Sequence, residues 1–187
     1  MMTNETLNLI SARRSHRAYE KTPLTQEQLD ALLKAAVESP SAVNRQPWHF
    51  SVVRNQKLLN EMNEAVWEQM MKRNPEMRSP RFQDKDFHVF YHAPAVIVIS
   101  GMPDNHYTEI DGGIAVENIA LAAESMGLGS VILGMPRDAF MGDKADYFRK
   151  ALKFPEGWDF VIAIAIGVPK DTKEAHPLKE DRIAFVD

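Results

Sequence analysis

Two apolar segments constrain the fold of this chain more than any other feature. APAVIVIS, residues 93–100, is a continuous apolar run of strand length, and FVIAIAIG, residues 160–167, is a second one. A strand that shows such an unbroken run is buried on both faces. The sheet that contains these segments therefore requires helices as its cover.

Shorter segments supply the other predicted elements. WHFSVVR, residues 48–54, and SVILG, residues 130–134, have the composition of strands. Periodicity and capping signals predict helices over residues 3–12, 25–39, 56–73, 108–126 and 137–152. The tail segment IAFV, residues 183–186, is a candidate short strand. Helices placed between about four short strands predict an α+β fold, an α/β sandwich, whose strand order the pattern leaves open.

The helical period also predicts which residues face inward. The second helix begins with a capping box formed by Thr25 and Gln28, and Pro40 ends it. Its apolar residues at helical spacing are Leu29, Leu32, Leu33, Ala36 and Val37. In the first helix, Leu7 and Ile10 are predicted to face the core.

Two further segments have distinctive compositions. The helix over residues 108–126 is small or apolar around most of its circumference, which places it deep in a core or a subunit interface. Gly127 is positioned as its left-handed cap. Residues 73–86 are polar and interrupted by proline, so we expect an exposed excursion, either a lid or a plain surface loop.

Composition argues against several classes of protein. The net charge is −4, which disfavours a broad basic surface for nucleic acid. The chain has no cysteine and therefore no disulfide, thiolate metal site or thiol nucleophile. It contains neither the roughly 18 apolar residues of a membrane span nor a signal-peptide pattern. We expect one soluble, cytoplasmic domain over residues 1–187.

Positive charge is nevertheless concentrated near the start of the chain. RRSHR, residues 13–17, contains three arginines, a serine and a histidine. If the segment is extended, Arg13, Ser15 and Arg17 share a face because alternate side chains point the same way. Two guanidiniums beside a hydroxyl suit an anion such as phosphate. A solvated basic turn is the alternative.

A second candidate site is the polar loop in SPSAVNRQPWHF, residues 39–50. Ser41, Asn44 and Gln46 carry hydroxyl and amide groups that can read the polar edge of a planar heterocycle. Ordinary turn chemistry is the alternative, because serine, proline and asparagine favour turns.

Three other motifs are rejected or reinterpreted. ESMGLGSVILGMP, residues 124–136, is not a dinucleotide fingerprint, because its glycines follow a helix and precede a strand; they can instead let a flat ligand approach the backbone. His88 and His92 lack a third metal ligand, so no metal site is expected. The carboxylates of residues 103–113 lack a specific spacing, and helix capping by Asp104 or Thr108 is the favoured interpretation.

Taken in order, four segments resemble the nitroreductase family of FMN-dependent oxidoreductases, especially its short bacterial members. They are ISARRSHRAY, SPSAVNRQPWHFSVV, GGIAVENIALAAESMGLGSVILG and IAIGVPK. The resemblance implies a mixed central sheet of about four or five strands wrapped by helices. It also implies an intertwined homodimer with FMN at the subunit interface.

The resemblance assigns roles to the basic segment and the tail. Arg13 and Ser15 would bind the FMN phosphate, Arg14 would lie near the ribityl chain, and Arg17 would lie near the N1–C2 carbonyl side of the ring. Positive charge there favours the reduced ring. In the tail, Lys173 matches one basic residue of the family, and Ala175 or His176 stands where an arginine is usual.

Two other segments would contact the cofactor. The loop residues Pro40, Ser41, Ala42, Asn44 and Gln46 would contribute contacts, with Ser41, Asn44 and Gln46 reaching across the dimer interface. Residues 131–134, which are Val131, Ile132, Leu133 and Gly134, would lie along the flavin. The backbone amides of Leu133 and Gly134 would be near its N5 and O4 atoms.

The implied activity is electron transfer from NAD(P)H through FMN. The donor would reduce flavin N5 and leave, and a nitroaromatic, quinone or similar electron-poor acceptor would then take its place, which is a ping-pong mechanism. No side-chain acid or base is required, so no catalytic residue is predicted. The alternatives are an FMN-binding storage or regulatory protein without efficient turnover, and a domain with another kind of anion site.

Overall fold

The structure is a computed structural model that describes residues 2–76, 82, 84, 86–177 and 179–186. These residues form α-helices and β-strands in an interleaved order. The helices are α1 (Glu5–Ala12), α2 (Gln26–Val37), α3 (Gln56–Arg73), α4 (Thr108–Ser125) and α5 (Ala145–Ala151). The strands are β1 (Trp48–Val53), β2 (Ala95–Gly101), β3 (Gly129–Leu133) and β4 (Asp159–Gly167).

The strands form one sheet in the order β1-β2-β4-β3, and each neighbouring pair is antiparallel. The two apolar runs are its central strands, and every residue of β2 is buried. The α+β class is confirmed. Where the resemblance implied a mixed sheet, parallel pairing among the described residues is confined to one bridge, between Ser15 and Ser130.

Each face of the sheet has its own hydrophobic core, because successive strand residues point to opposite faces. Val96 and Val98 of β2 pack with α3 and the aromatic residues of the segment after β3. Ala95, Ile97 and Ile99 pack with α2 and α4 on the other face. Helices cover both faces, as the unbroken apolar runs required.

The predicted helix signals are confirmed at two ends. The Thr25 hydroxyl accepts from the Gln28 amide at 3.2 Å, and the Gln28 side chain accepts from the Thr25 amide at 2.9 Å. Gly127 has a φ of 70°, the left-handed conformation of a helix cap. The prediction that Val37 of α2 faces inward is wrong, because this residue lies at the end of the helix and is 51% exposed.

Several other predictions are corrected. Leu7 and Ile10 do not reach the core: they are 41% and 49% exposed, because α1 packs on the outside of α4. The helix predicted over residues 137–152 is divided into a 3-10 helix (Met135–Phe140) and α5. Gly142 lies at the break, where a Cβ atom would be closer to the Gln69 side chain than atoms can pack.

Residues 183–186 form no strand and are exposed. Residues 77–81, 83 and 85 of the predicted excursion lie outside the described residues, while Arg73 still belongs to α3. Among the described residues, no helix combines the length and apolar character that crossing a membrane requires.

Candidate functional site

The basic segment lies along the outer edge of β3. The His16 amide donates to the Ser130 carbonyl at 2.9 Å, which attaches the segment to the first half of that strand. Its other end is held by the chain after β4, since the Lys170 amide donates to the Ala18 carbonyl at 2.9 Å. The buried Tyr19 hydroxyl donates to the His16 carbonyl at 2.6 Å. The segment is therefore a fixed part of the sheet edge.

The arginines of this segment have different partners. Arg13 Nε lies 3.3 Å from a carboxylate oxygen of Glu117 on α4. Arg14 folds back, and its Nη1 donates to the carbonyls of Ser11 and Arg13, each at 2.7 Å. The Arg14 Nε is buried and has no hydrogen-bond partner among the described residues. A buried N–H without an acceptor is costly, which makes it a marker for a missing ligand atom.

One carboxylate joins the basic segment to the tail. Asp171 accepts from the Arg17 amide at 3.2 Å, its Oδ1 lies 2.8 Å from His16 Nδ1, and its Oδ2 lies 3.1 Å from Lys173 Nζ. Burial by itself would raise the pKa of Asp171, but the hydrogen bonds from His16, the Arg17 amide and Lys173 outweigh it and lower the pKa. Asp171 therefore stays ionised and brings Lys173 to the basic segment.

The tail beyond Lys173 makes no comparable contact. Ala175 and His176 are exposed, and His176 forms no hydrogen bond or ion pair with any described residue. Lys173 is thus the tail residue that the structure brings to the basic segment.

The polar loop has a strained backbone. Val43, Asn44 and Gln46 all have φ near +50°, in the left-handed region that non-glycine residues rarely adopt. The Ser41 hydroxyl accepts from the Gln46 amide at 2.9 Å, and the Gln46 side chain donates to Asn44 Oδ1 at 3.0 Å. Strain of this kind persists only where the surroundings impose it, and it is concentrated at ligand sites.

Polar residues of α4 hold these segments, and sequence reasoning missed them. Buried Asp111 accepts from the Ala42 amide at 3.2 Å, and Asn118 donates to the Ser39 hydroxyl at 2.8 Å. Glu117 pairs with Arg13. The signal in the sequence was the presence of isolated polar residues in an otherwise apolar helix.

The expected N-terminal caps of α4, Asp104 or Thr108, are absent. Its N-cap residue is Tyr107, which makes no side-chain capping bond. The Thr108 hydroxyl instead donates to the Met102 carbonyl at 2.8 Å, and Asp111 faces the polar loop rather than the helix end.

The second half of β3 remains open on its outer edge. Because backbone groups of alternate strand residues point to the same edge, Ile132 directs its N–H and C=O to the side where Ser130 meets His16. No described residue bonds to Ile132 there. Val131 and Leu133 are buried and pair with β4, and the exposed Gly134 follows. A Cβ atom on Gly134 would meet nothing within 4 Å, so this end of β3 borders open space.

The polar loop and the basic segment are separate within one chain. Their attachment points on α4, Asp111 and Glu117, are six residues apart, which is about 9 Å along the helix axis. No hydrogen bond or ion pair between described residues joins residues 40–46 to residues 13–17. The structure thus brings Lys173 to the basic segment but leaves the loop at a distance.

A cavity of about 520 Å³ adjoins Arg17. Phe87, Tyr91 and His88 line it, and the Phe87 and Tyr91 rings meet edge to face at 5.8 Å. Burial, with a smaller contribution from nearby His92, lowers the pKa of His88 to about 4, so this imidazole is neutral near pH 7. The described residues include no group of three metal-ligating side chains.

Comparisons with known proteins identify the family of this chain. The Nitroreductase family profile matches residues 10–168. A relative in Archaeoglobus fulgidus, provisionally named an NADH dehydrogenase/NAD(P)H nitroreductase, is 35% identical over 177 residues, which cover 91% of this chain and 88% of that protein.

Solved structures share the fold over its full length. A nitroreductase with bound FMN from Desulfitobacterium hafniense is 34% identical, with a TM-score of 0.94 and coverage of 100% of both chains. A second FMN-bound nitroreductase, from Bacteroides fragilis, is 28% identical, with a TM-score of 0.90 and coverage of 99% of this chain and 100% of that one. The chain belongs to the nitroreductase family.

Proposed function

We propose that this chain is an FMN-dependent oxidoreductase that takes electrons from NAD(P)H and delivers them to an electron-poor acceptor, within a single domain over residues 1–187. The names of its relatives support the cofactor and the donor. The observation that carries the proposal is the position of the basic segment along the open edge of β3.

The described residues fit the phosphate of FMN. Arg13, Arg14 and Ser15 form one short stretch, and Asp171 holds Lys173 beside it. The buried, unpartnered Arg14 Nε supplies a donor that a ligand oxygen can satisfy. Residues of this stretch and Lys173 would therefore hold the phosphate and ribityl chain. His176 is exposed, and whether it adds to the phosphate site stays a prediction.

The edge of β3 fits the flavin ring. The backbone groups of Ile132 face the open edge of the strand, and the space beside the following Gly134 is open. Arg17 ends the basic segment and lines the neighbouring cavity, so its charge is available to the electron-rich side of a ring. Bound here, FMN would accept a hydride from a nicotinamide and pass electrons to a second substrate.

A homodimer would complete the site. Apolar residues on the outer sides of α1 and α4 are exposed: Leu7, Ile10, Ile110 and Ile114. An apolar surface of this kind marks an interface. We propose that the partner covers it and contributes Pro40, Ser41, Ala42, Asn44 and Gln46, since this loop does not reach the basic segment of its own chain.

The acceptor would use the cavity beside Arg17. Aromatic walls such as Phe87 and Tyr91 favour a flat ring by stacking or edge contact. We therefore propose a nitroaromatic, a quinone or a similar ring, taken in turn after the donor in a ping-pong cycle. The neutral His88 in this wall places no positive charge against the ring.

The absorbance spectrum of the purified protein tests this function. We expect a flavin spectrum that bleaches on addition of NADH or NADPH and returns on addition of a nitroaromatic or a quinone. Bound FMN that neither nicotinamide reduces would instead indicate storage or regulation. A colourless protein that does not take up added FMN would refute the proposal.

The phosphate assignment has its own test. Replacing both Arg13→Ala and Ser15→Ala removes charge-assisted hydrogen bonds that contribute about 1.5–3 kcal/mol each. FMN affinity should fall by at least about a hundredfold, as measured by fluorescence titration. Lys34→Ala, an exposed cation of α2, is the matched control and should leave FMN affinity unchanged. An unaltered affinity in the double variant would show that the phosphate binds elsewhere.

A further inference from the structure

A second cavity of about 690 Å³ lies beside the one at Arg17 and has a strongly basic lining. Lys21, Arg54 and Lys170 border it, and no aspartate or glutamate is among its described lining residues. The whole chain has an excess of acidic residues, with a net charge of −4. Cations gathered around one concave surface focus a positive potential into it.

These cations are largely free to bind a ligand. Lys21 and Arg54 are exposed and form no ion pair with any described residue. Lys170 Nζ lies 3.6 Å from a carboxylate oxygen of Glu20, and exposed pairs at such distances are weak. The cavity therefore presents two unneutralised cations and a third that an incoming anion can recruit.

The rest of the lining is apolar and flat. Pro23 and Pro94 lie on it, together with the buried ring of Tyr19. A free inorganic anion gains nothing from such surfaces, whereas a heterocycle attached to a phosphate gains both contacts. The combination of cations and apolar surfaces in this lining therefore favours an organic phosphate that carries an aromatic base.

The position of this cavity relates it to the proposed reaction. It shares Tyr19, His92 and Lys170 with the cavity that Arg17 lines, so the two are adjacent. A ligand whose reactive ring lies near Arg17 can extend its other end toward Lys21 and Arg54. A nicotinamide dinucleotide has this form, with a redox-active ring at one end and an adenosine at the other.

We propose that this second cavity binds the adenosine end of the nicotinamide donor, and that Lys21 and Arg54 select NADPH over NADH by binding its 2′-phosphate. This inference rests on the proposed function, because it assigns the donor of the same reaction. Arginine recognises phosphate through two parallel hydrogen bonds, and lysine adds a point charge. NADH lacks the group that these two side chains would bind.

Binding of donor fragments to the FMN-loaded protein tests the site directly. We expect 2′,5′-ADP to bind at least about tenfold more tightly than 5′-AMP in a calorimetric titration, and Lys21→Gln with Arg54→Gln to abolish the difference. Lys57→Gln is the matched control, since Lys57 is an exposed cation near the start of α3 that does not line the cavity. Equal affinities in the unaltered protein would overturn the proposal. Displacement of 2′,5′-ADP by an equal concentration of inorganic phosphate would also overturn it, by identifying a site for the free anion.

Kinetics provide the second arm. The ratio of kcat/KM for NADPH to that for NADH should be about ten or more and should fall toward one in the Lys21→Gln, Arg54→Gln variant. A ratio that the double variant leaves unchanged would overturn the assignment. If neither donor reduces the flavin, the proposed function fails by itself, and the fragment titration still decides whether this cavity binds the phosphorylated nucleotide.

Discussion

Single residues in this protein act mainly by holding other groups in place. Asp171 collects His16, the Arg17 amide and Lys173 on one carboxylate, and the resulting hydrogen bonds keep its pKa low despite burial. Burial raises the pKa of Tyr19, whose neutral hydroxyl donates to the His16 carbonyl. These contacts hold the basic segment against the sheet edge and the tail.

Buried His88 makes stability depend on pH. Burial lowers its pKa in the folded protein to about 4, while the unfolded chain has a value near 6.5. Below pH 6.5 the unfolded state binds more protons than the folded state, so stability is complete above that pH and is lost progressively as the pH falls toward 4. The full loss is about 2–3 kcal/mol.

Denaturant titrations between pH 7 and pH 4 measure this effect. His88→Gln should flatten the part of the pH dependence that lies between pH 6.5 and pH 4. His106→Gln, at an exposed histidine, should leave that part as it is in the unaltered protein. The same slope in the His88 variant would show that His88 is not the group responsible.

At the scale of elements, α4 is the platform of the candidate site. Its buried face packs on the sheet, and its few polar residues reach Ser39, Ala42 and Arg13. A helix that is apolar all round was predicted to lie in a core or an interface, and one side of α4 does lie in the core. Its hydrogen bonds to the loop and the basic segment depend on contacts between distant parts of the chain.

Asp111 provides the test of this platform. Asp111→Ala would leave the Ala42 amide without its acceptor, which costs about 1–3 kcal/mol of unfolding free energy. The polar loop would lose its anchor, so FMN affinity should also fall. Glu109→Ala, the control, removes an exposed carboxylate from the same helix. It should leave both the unfolding free energy and FMN affinity nearly unchanged. If Asp111→Ala changed neither the unfolding free energy nor FMN affinity, this role of Asp111 would be contradicted.

At the scale of the whole molecule, the chain exposes apolar residues on both α1 and α4. Ile10 of α1 and Ile114 of α4 are 49% and 37% exposed. If the proposed dimer uses this surface, Ile10→Glu with Ile114→Glu should shift the protein toward the monomer in sedimentation experiments, because charges disfavour a desolvated interface. FMN affinity should fall in parallel, since the partner's loop would be lost.

Met141→Glu serves as the control for that change. Met141 is 65% exposed and lies after the 3-10 helix (Met135–Phe140), outside α1 and α4. It should leave both the oligomeric state and FMN affinity unaltered. A double variant that remains a dimer would show that the interface lies elsewhere.

Local sequence patterns predict most of the helices and strands, and they mark the basic segment as a candidate anion site. Capping boxes, glycine caps and apolar periodicity depend on neighbouring residues, so α2, α4 and the central strands follow from local patterns. The strand order, the exposure of Leu7 and Ile10, and the break before α5 depend on tertiary packing and could not be predicted from local patterns. The contacts of Asp171 with the basic segment and of Asp111 with the polar loop also depend on it. These pairings lie far apart in the chain, and local patterns do not encode them because they form only when packing brings distant segments to one sheet edge.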